Sequence, residues 1–333
     1  MKIIIPMAGK GKRMRPHTLT IPKPLIRIAG KPIVQRLVEG IAAMCKEKID
    51  EIAFVVGDFG KEIEETLLNI AAQTDAKGKI YYQENPLGTA HAILCAEKSL
   101  NDKVVVAFAD TLFFADFILD DSKDSIVWVH KVQNPGSFGV VKTDNDGIIT
   151  KIVEKPSSFV SDLAIIGIYY FKDGLFLKNE LQYLIDNNIQ KNSEFQLTDA
   201  LENMMKKGTH LYIGKVNEWL DCGNKDATVY TNQRILEFSK KQKLTAPSAK
   251  VENSIIIQPC FLGENVKITN SIIGPHVSVG ENTMIDYSVI TNSIIQTNTK
   301  ISCVNLDNSM IGNYVEYFGS KKEVSIGDYT VLS

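Results

Sequence analysis

The stretch "KIIIPMAGKGKRMRPHTLTIPKPL" (residues 2–25) decides how the first two thirds of the chain must be read. Three isoleucines and a proline run into two glycines interleaved with cations, Lys10, Lys12, Arg13, Arg15 and Lys23, with no acidic side chain among them. A short, continuously apolar run suits a strand covered on both faces. A glycine turn directly after such a strand lies where open α/β sheets bind ligands, beyond the carboxyl ends of their strands. The backbone N–H groups of such a turn can cradle phosphate. Two common phosphate loops fail on spacing: a P-loop needs Ser or Thr after Gly-Lys, where Arg13 stands, and a dinucleotide loop needs a glycine three residues after Gly11, where Met14 stands.

The same grammar continues outward. "EIAFVV" (51–56), "KIYYQ" (79–83) and "KVVVAFAD" (103–110) read as buried strands. Between them, "KPIVQRLVEGIAAMCKEK" (31–48), "GKEIEETLLNIAAQ" (60–73) and "GTAHAILCAEKSL" (88–100) space their apolar residues by three and four, as helices do. Repeated βαβ units predict an α/β fold, a Rossmann-like, mostly parallel mixed sheet with flanking helices and right-handed crossovers. From Ser125 to Phe171 four strands follow one another, predicting an antiparallel or mixed insertion with a turn at "DNDG" (144–147). Helices around 174–187 and 194–207, a strand over 210–216 and a helix over 225–241 complete this part.

The polar, proline-containing segment "SKKQKLTAPSAK" (239–250) then changes the pattern. Aliphatic residues recur every five or six positions, at Leu262, Ile268, Ile273, Val279, Ile285, Ile290, Ile295 and Ile301, with Gly, Asn, Ser and Thr between them. An approximate hexapeptide period predicts a left-handed parallel β-helix of four to five coils at about 18 residues each, whereas sandwich strands would alternate with period two. The expected domains are therefore 1–240, a linker over 241–250 and the β-helix over 251–333.

Composition excludes several function classes. With 37 basic and 39 acidic residues the formal net charge is -2, which recommends neither nucleic acid nor a membrane surface as partner. No stretch approaches the ~20 apolar residues of a membrane span. Five scattered cysteines without a CxxC pair suggest neither a disulfide framework nor a zinc site, and read as a reduced, cytoplasmic protein.

"MAGKGKRMRPHTLTIPKPL" (7–25) resembles the signature loop of the sugar-1-phosphate nucleotidylyltransferases, the pyrophosphorylases that make nucleotide sugars. Further stretches fall in that family's order: "YYQENPLGTAHAI" (81–93), "VVVAFAD" (104–110), "FGVV" (138–141), "EKP" (154–156), "AIIGIYYF" (164–171), "EFQLTDAL" (194–201) and "WLDCGN" (219–224). The resemblance covers residues 1 to 240 and implies the nucleotide-diphospho-sugar transferase type of fold. It implies a loop of Ala8, Gly9, Gly11 and Lys12 around a nucleoside triphosphate, with Arg13 and Lys23 as catalytic cations. Gln83, Gly88 and Thr89 would bind the base, Gly139, Glu154, Lys155 and Ile165 the sugar 1-phosphate, and Asp110 and Asp221 a Mg2+ ion. This chain has Lys12 where the family usually has Thr, and Ala109 where it commonly has Gly.

These roles are chemically coherent. Joining a nucleoside triphosphate to a sugar phosphate brings two polyanions together, so cations and a hard metal ion are expected. Isolated aspartates more often cap turns or pair with lysines, and it is their matching contexts that favour metal binding. UTP and dTTP both remain open as donors. His91, on a helix among Ala, Ile and Leu, reads as a packing residue. The β-helix reads as an assembly element, and a homo-oligomer is expected. Two alternatives stand beside this reading: a non-catalytic regulatory subunit, and a second acyltransferase activity with His276 as base.

Overall fold

The computed structural model describes residues 1–191 and 193–331. Its contacts divide the chain into two units, Met1–Ile26 with Pro32–Gly223, and Arg27–Lys31 with everything from Asn224 on.

In the first unit, strands β1 (Lys2–Pro6), β2 (Glu51–Val56), β3 (Lys77–Tyr82) and β4 (Val104–Ala107) run parallel in the order β4-β1-β2-β3. All residues of β2 and β4 are buried, as the apolar runs 52–56 and 104–107 require, and Glu51 at the start of β2 is ion-paired to Lys79. Helices α1 (Ile33–Met44), α2 (Lys61–Ala72) and α3 (Thr89–Leu94) supply the crossovers. Past Asp110 come β5 (Thr111–Phe114), β6 (Ser125–Lys131), β7 (Gly139–Thr143), β8 (Ile149–Glu154) and β9 (Leu163–Phe171). The mixed part is built on β9, which is antiparallel to β4, β6 and β7, so the sheet reads β8-β7-β9-β4-β1-β2-β3. Helices α4 (Gly174–Asp186) and α5 (Leu197–Lys206) precede β10 (Leu211–Lys215), which extends β6, and β11 (Glu218–Asp221), which pairs with β5.

Three expected helices are shorter than their periodicity suggests. The first starts only after Pro32, whose extended backbone precedes it, and stops at Met44 because Cys45 is extended. The third breaks at Leu94 into a separate 3-10 turn over Glu97–Ser99. The fifth begins at Leu197 because Glu194–Gln196 instead lies along the loop before α3, where Phe195 N–H donates to Leu87 O at 2.8 Å and Ala90 N–H to Phe195 O at 2.9 Å.

The second unit is the β-helix with helix α6 (Lys225–Phe238). Among the described residues, its parallel strands stack in three sheets of five, four and four. The aliphatic period sorts itself onto these walls: Leu262, Val279 and Ile295 on one, Ile268, Ile285 and Ile301 on another, Ile273 and Ile290 on the third. All are buried in one core. Asparagine explains the corners, since Asn265, Asn282 and Asn298 take left-handed backbone angles that it tolerates better than most residues. Helix α6 belongs with this unit through Asn232, whose Oδ1 accepts from Ala29 N–H at 3.1 Å and from Ser278 Oγ at 2.6 Å. The last described strand is Glu316–Phe318, and Leu332 and Ser333 of the expected β-helix lie outside the described residues.

Candidate active site

The sheet register builds the site. Ile4 of β1 lies opposite Val106 of the parallel β4, so both strands release their loops at the same edge. One loop is the glycine turn from Met7, the other runs through Phe108 to Asp110. Because the chain crosses to opposite sides of β1, this edge is a switch point of the sheet, the usual ligand position in such folds. Strand β5 then pairs antiparallel with β11, placing Thr111 opposite Asp221, and Cys222 N–H donates to Asp110 O at 2.9 Å. Two aspartates far apart in sequence are thereby brought to one place.

Lys23 joins them. Its Nζ lies 2.7 Å from Asp110 Oδ2, with Lys23 largely buried. The glycine turn closes on this lysine: Gly11 has φ +56°, and a Cβ there would stand 3.2 Å from Lys23 Cβ and 3.1 Å from Thr18 Cγ2. The Thr18 hydroxyl donates to Gly11 O at 2.8 Å. A side chain at position 11 would therefore strain the backbone and push the turn open.

A cavity of about 280 Å³ opens between these loops. Of the residues expected at the nucleotide, Ala8, Gly9, Gly11 and Lys23 line it from one side with Asp110. Gln83, Gly88 and Thr89 line it from another. Gly88 is required where it is, because its φ is +110° and a Cβ would meet Phe195 O at 2.5 Å. Thr89 is already engaged, its hydroxyl accepting from Leu197 N–H at 2.9 Å and donating to Gln196 Oε1 at 3.3 Å. Lys12 and Arg13 sit exposed on the turn Lys12–Met14 and do not line the cavity.

The residues expected at the sugar phosphate form a second group. Gly139 and Glu154 face each other across the β7–β8 pair. A Cβ on Gly139 would lie 2.9 Å from Glu154 Oε2 and 3.3 Å from Ile165 Cδ1, so the three converge on one spot. Burial raises the Glu154 carboxyl above its ordinary range, Asp199 and Glu194 raise it further, and Lys155 and Lys191 pull it down. Lys155 is exposed, with its Nζ 4.0 Å from Glu154 Oε1. Glu194 also lines the glycine-turn cavity, which ties the two groups together.

Sequence reasoning missed several neighbours. Glu194, Thr198 and Asp199 were visible only as parts of "EFQLTDAL"; Asp199 is buried and ion-paired to Lys191, and Thr198 Cγ2 lies 3.8 Å from the Cβ position of Gly139. His91 is not merely a packing residue, since its Nδ1 lies 3.1 Å from Gln83 Nε2. In the second unit, His276 Nε2 lies 2.6 Å from Glu237 Oε1.

The model of the family described as Nucleotidyl transferase matches residues 2–237, which include every residue of both groups. The chain belongs to the nucleotidyl transferase family. Among its relatives are the low-salt glycan biosynthesis nucleotidyltransferase Agl11 of Haloferax volcanii, 29% identical over 77% of this chain and 72% of the relative. The glucose-1-phosphate thymidylyltransferase of Streptomyces antibioticus is 28% identical over 79% of this chain and 78% of its own length. The bifunctional protein GlmU of Methanococcus maripaludis strain C7 is 34% identical over 77% of this chain, but the match spans only 59% of GlmU. A solved UDP-glucose pyrophosphorylase complexed with UDP-glucose shares the fold at TM-score 0.58 and 27% identity, covering 72% of this chain and 99% of that one.

Within this nucleotidyl transferase fold, Asp110 and Asp221 have the chemistry of a divalent cation site. Burial raises the Asp221 carboxyl, and the Asp110 charge raises it further, while Lys23, the Gly223 N–H and Arg13 oppose both. Two carboxylates that repel in this way suit a cation between them. Among the described residues no third His, Cys, Asp or Glu joins them. A hard ion that keeps several waters and takes substrate phosphate oxygens fits a donor set of this size. Also among the described residues, no helix is long and apolar enough to cross a membrane.

Proposed function

We propose that the chain transfers a nucleotidyl group from UTP or dTTP to a hexose 1-phosphate, forming a nucleotide sugar and pyrophosphate. The convergence of Lys23, Asp110 and Asp221 at the edge of the glycine-turn cavity carries this reading. The thymidylyltransferase and UDP-glucose pyrophosphorylase among the relatives support a pyrimidine donor and glucose 1-phosphate as acceptor.

The glycine turn would hold the triphosphate by its backbone, with Lys23 released from Asp110 to meet phosphate oxygen, and Lys12 and Arg13 closing from the exposed turn. Glu154, the Gly139 backbone and Ile165 would seat the sugar, and Lys155 its phosphate. A phosphate oxygen of the sugar 1-phosphate bonds to the α-phosphorus as the α-phosphorus bond to the pyrophosphate oxygen breaks. The attacking oxygen is already ionised at neutral pH, so positioning and charge neutralisation suffice without a protein nucleophile. Asp110 and Asp221 would hold Mg2+, which supplies charge stabilisation at the phosphates. Self-association fits the exposed Tyr317 and Phe318 on the last described strand, an edge that a second chain can cover.

The test is pyrophosphate release from a panel of sugar 1-phosphates with UTP, dTTP, CTP, GTP and ATP. Turnover is expected with UTP or dTTP, and Asp110→Asn should lower it about 100-fold or more. Failure of every pair sinks the catalytic reading.

A further inference from the structure

The orientation of one amide sets what the cavity can read on a base. Gln83 follows β3, and its backbone is fixed by donation of its N–H to Val56 O at 2.9 Å. Its side chain lines the cavity. The atom 3.2 Å from Gly88 O must be Nε2, because a backbone carbonyl only accepts. The same Nε2 lies 3.1 Å from His91 Nδ1. A primary amide has two N–H donors, and this geometry spends both, one on Gly88 O and one on His91. For that, Nδ1 must carry a lone pair, as it does in neutral histidine with its proton on Nε2. Burial lowers the His91 pKa and favours that neutral form. The hydrogen-bonding atom of Gln83 left for a ligand is Oε1, an acceptor.

We infer that His91 is a positioning residue that locks the Gln83 amide with Oε1 toward the base, and so selects imide pyrimidines over cytosine. Uracil and thymine carry N3–H, a donor that matches Oε1. Cytosine offers a bare N3, an acceptor, which leaves two lone pairs facing each other. Without His91 only Gly88 O still holds the amide, and turning it to offer N–H to the base then breaks one hydrogen bond instead of two. His91 touches no substrate and acts only through Gln83. The inference rests on the proposed pyrimidine nucleotide in this cavity and adds what chooses among pyrimidines.

The test compares kcat/KM for UTP, dTTP and CTP in the wild-type enzyme, His91→Leu and His91→Asn, with one productive sugar 1-phosphate. Wild type should favour UTP or dTTP over CTP by about 100-fold or more, as expected of a site built around a substrate N–H. In His91→Leu, or His91→Ala if the leucine chain is insoluble, that ratio should fall below about 10, chiefly through a raised KM for UTP and dTTP and a lowered one for CTP. The KM for the sugar 1-phosphate should not move. Asn at 91 places Oδ1 near the position of Nδ1 and should restore the ratio, which a purely structural role for the ring would not do. An unchanged ratio in His91→Leu or His91→Ala overturns the inference while leaving the pyrimidine reading standing. Absence of turnover with any pyrimidine triphosphate in wild type overturns that reading, and the inference with it.

Discussion

At position 139 the room for a side chain is set by Glu154, proposed above to seat the sugar. The Cβ of Gly139→Ala would come within 2.9 Å of Glu154 Oε2, the far end of a flexible side chain, so folding should tolerate the change at little cost. Function should not: a shift of about 1 Å in Glu154 is enough to cost up to about 100-fold. We expect a KM for the sugar 1-phosphate raised at least about tenfold, an unchanged KM for the nucleotide and a nearly unchanged Tm; equal changes in both KM values would refute the division of the two subsites. Asp221 tests the opposite trade. Its raised pKa means that the folded state binds a proton more tightly than the unfolded one, so this group's contribution to stability falls as pH rises from the usual Asp range through the raised value. Asn in its place removes that loss while its Oδ1 can still accept the Gly223 N–H at 3.0 Å. Asp221→Asn should therefore keep or raise Tm at neutral pH while losing most turnover, and a Tm several degrees lower would show that the carboxylate is structural. Asp110, Asp221 and Gln83 were nominated from the sequence because each sits in a characteristic local string. His91 was not, because its contact with Gln83 exists only once the chain doubles back through Gly88 at φ +110°, which periodicity does not encode.

At the scale of elements, strand ends were easy to read and helix starts were not. Continuous apolar runs such as "EIAFVV" mark a buried strand wherever they occur, whereas Glu194–Gln196 has helical spacing and is held extended by Leu87 and Ala90. The β-helix shows the same contrast. Its aliphatic period announced the walls, but the corners depend on asparagines that act twice. Asn282 takes φ +57°, accepts from Asn265 Nδ2 at 3.1 Å and donates to Asn298 Oδ1 at 3.2 Å. Asn282→Gly keeps the backbone and breaks the side-chain ladder, costing about 0.5–1.5 kcal/mol. Asn282→Val breaks the ladder and adds left-handed strain of about 1–3 kcal/mol. Chemical unfolding should rank wild type above Gly and Gly above Val. A valine variant as stable as the glycine one would show that the corner conformation is not what asparagine supplies.

At the scale of the molecule, each unit has a buried apolar cluster of its own, one running from Ile4 to Leu211 and one in the β-helix from Cys260 to Ile301 and Val304. Every residue lining the glycine-turn cavity lies in the first unit. Chemistry confined to one unit should then be insensitive to packing in the other. Ile285 is 1% exposed in the β-helix core, and Ile285→Ala should cost about 2–5 kcal/mol there. Thermal unfolding followed by far-ultraviolet circular dichroism should show that loss as a lowered transition. Measured well below that transition, kcat/KM for nucleotide and sugar 1-phosphate should stay within about twofold of wild type, since a cavity mutation is felt most by the side chains packed around it. A fall in kcat/KM under conditions where the variant remains folded would mean that the β-helix contributes to turnover itself, and would move it from an assembly role to a part of the catalytic machinery.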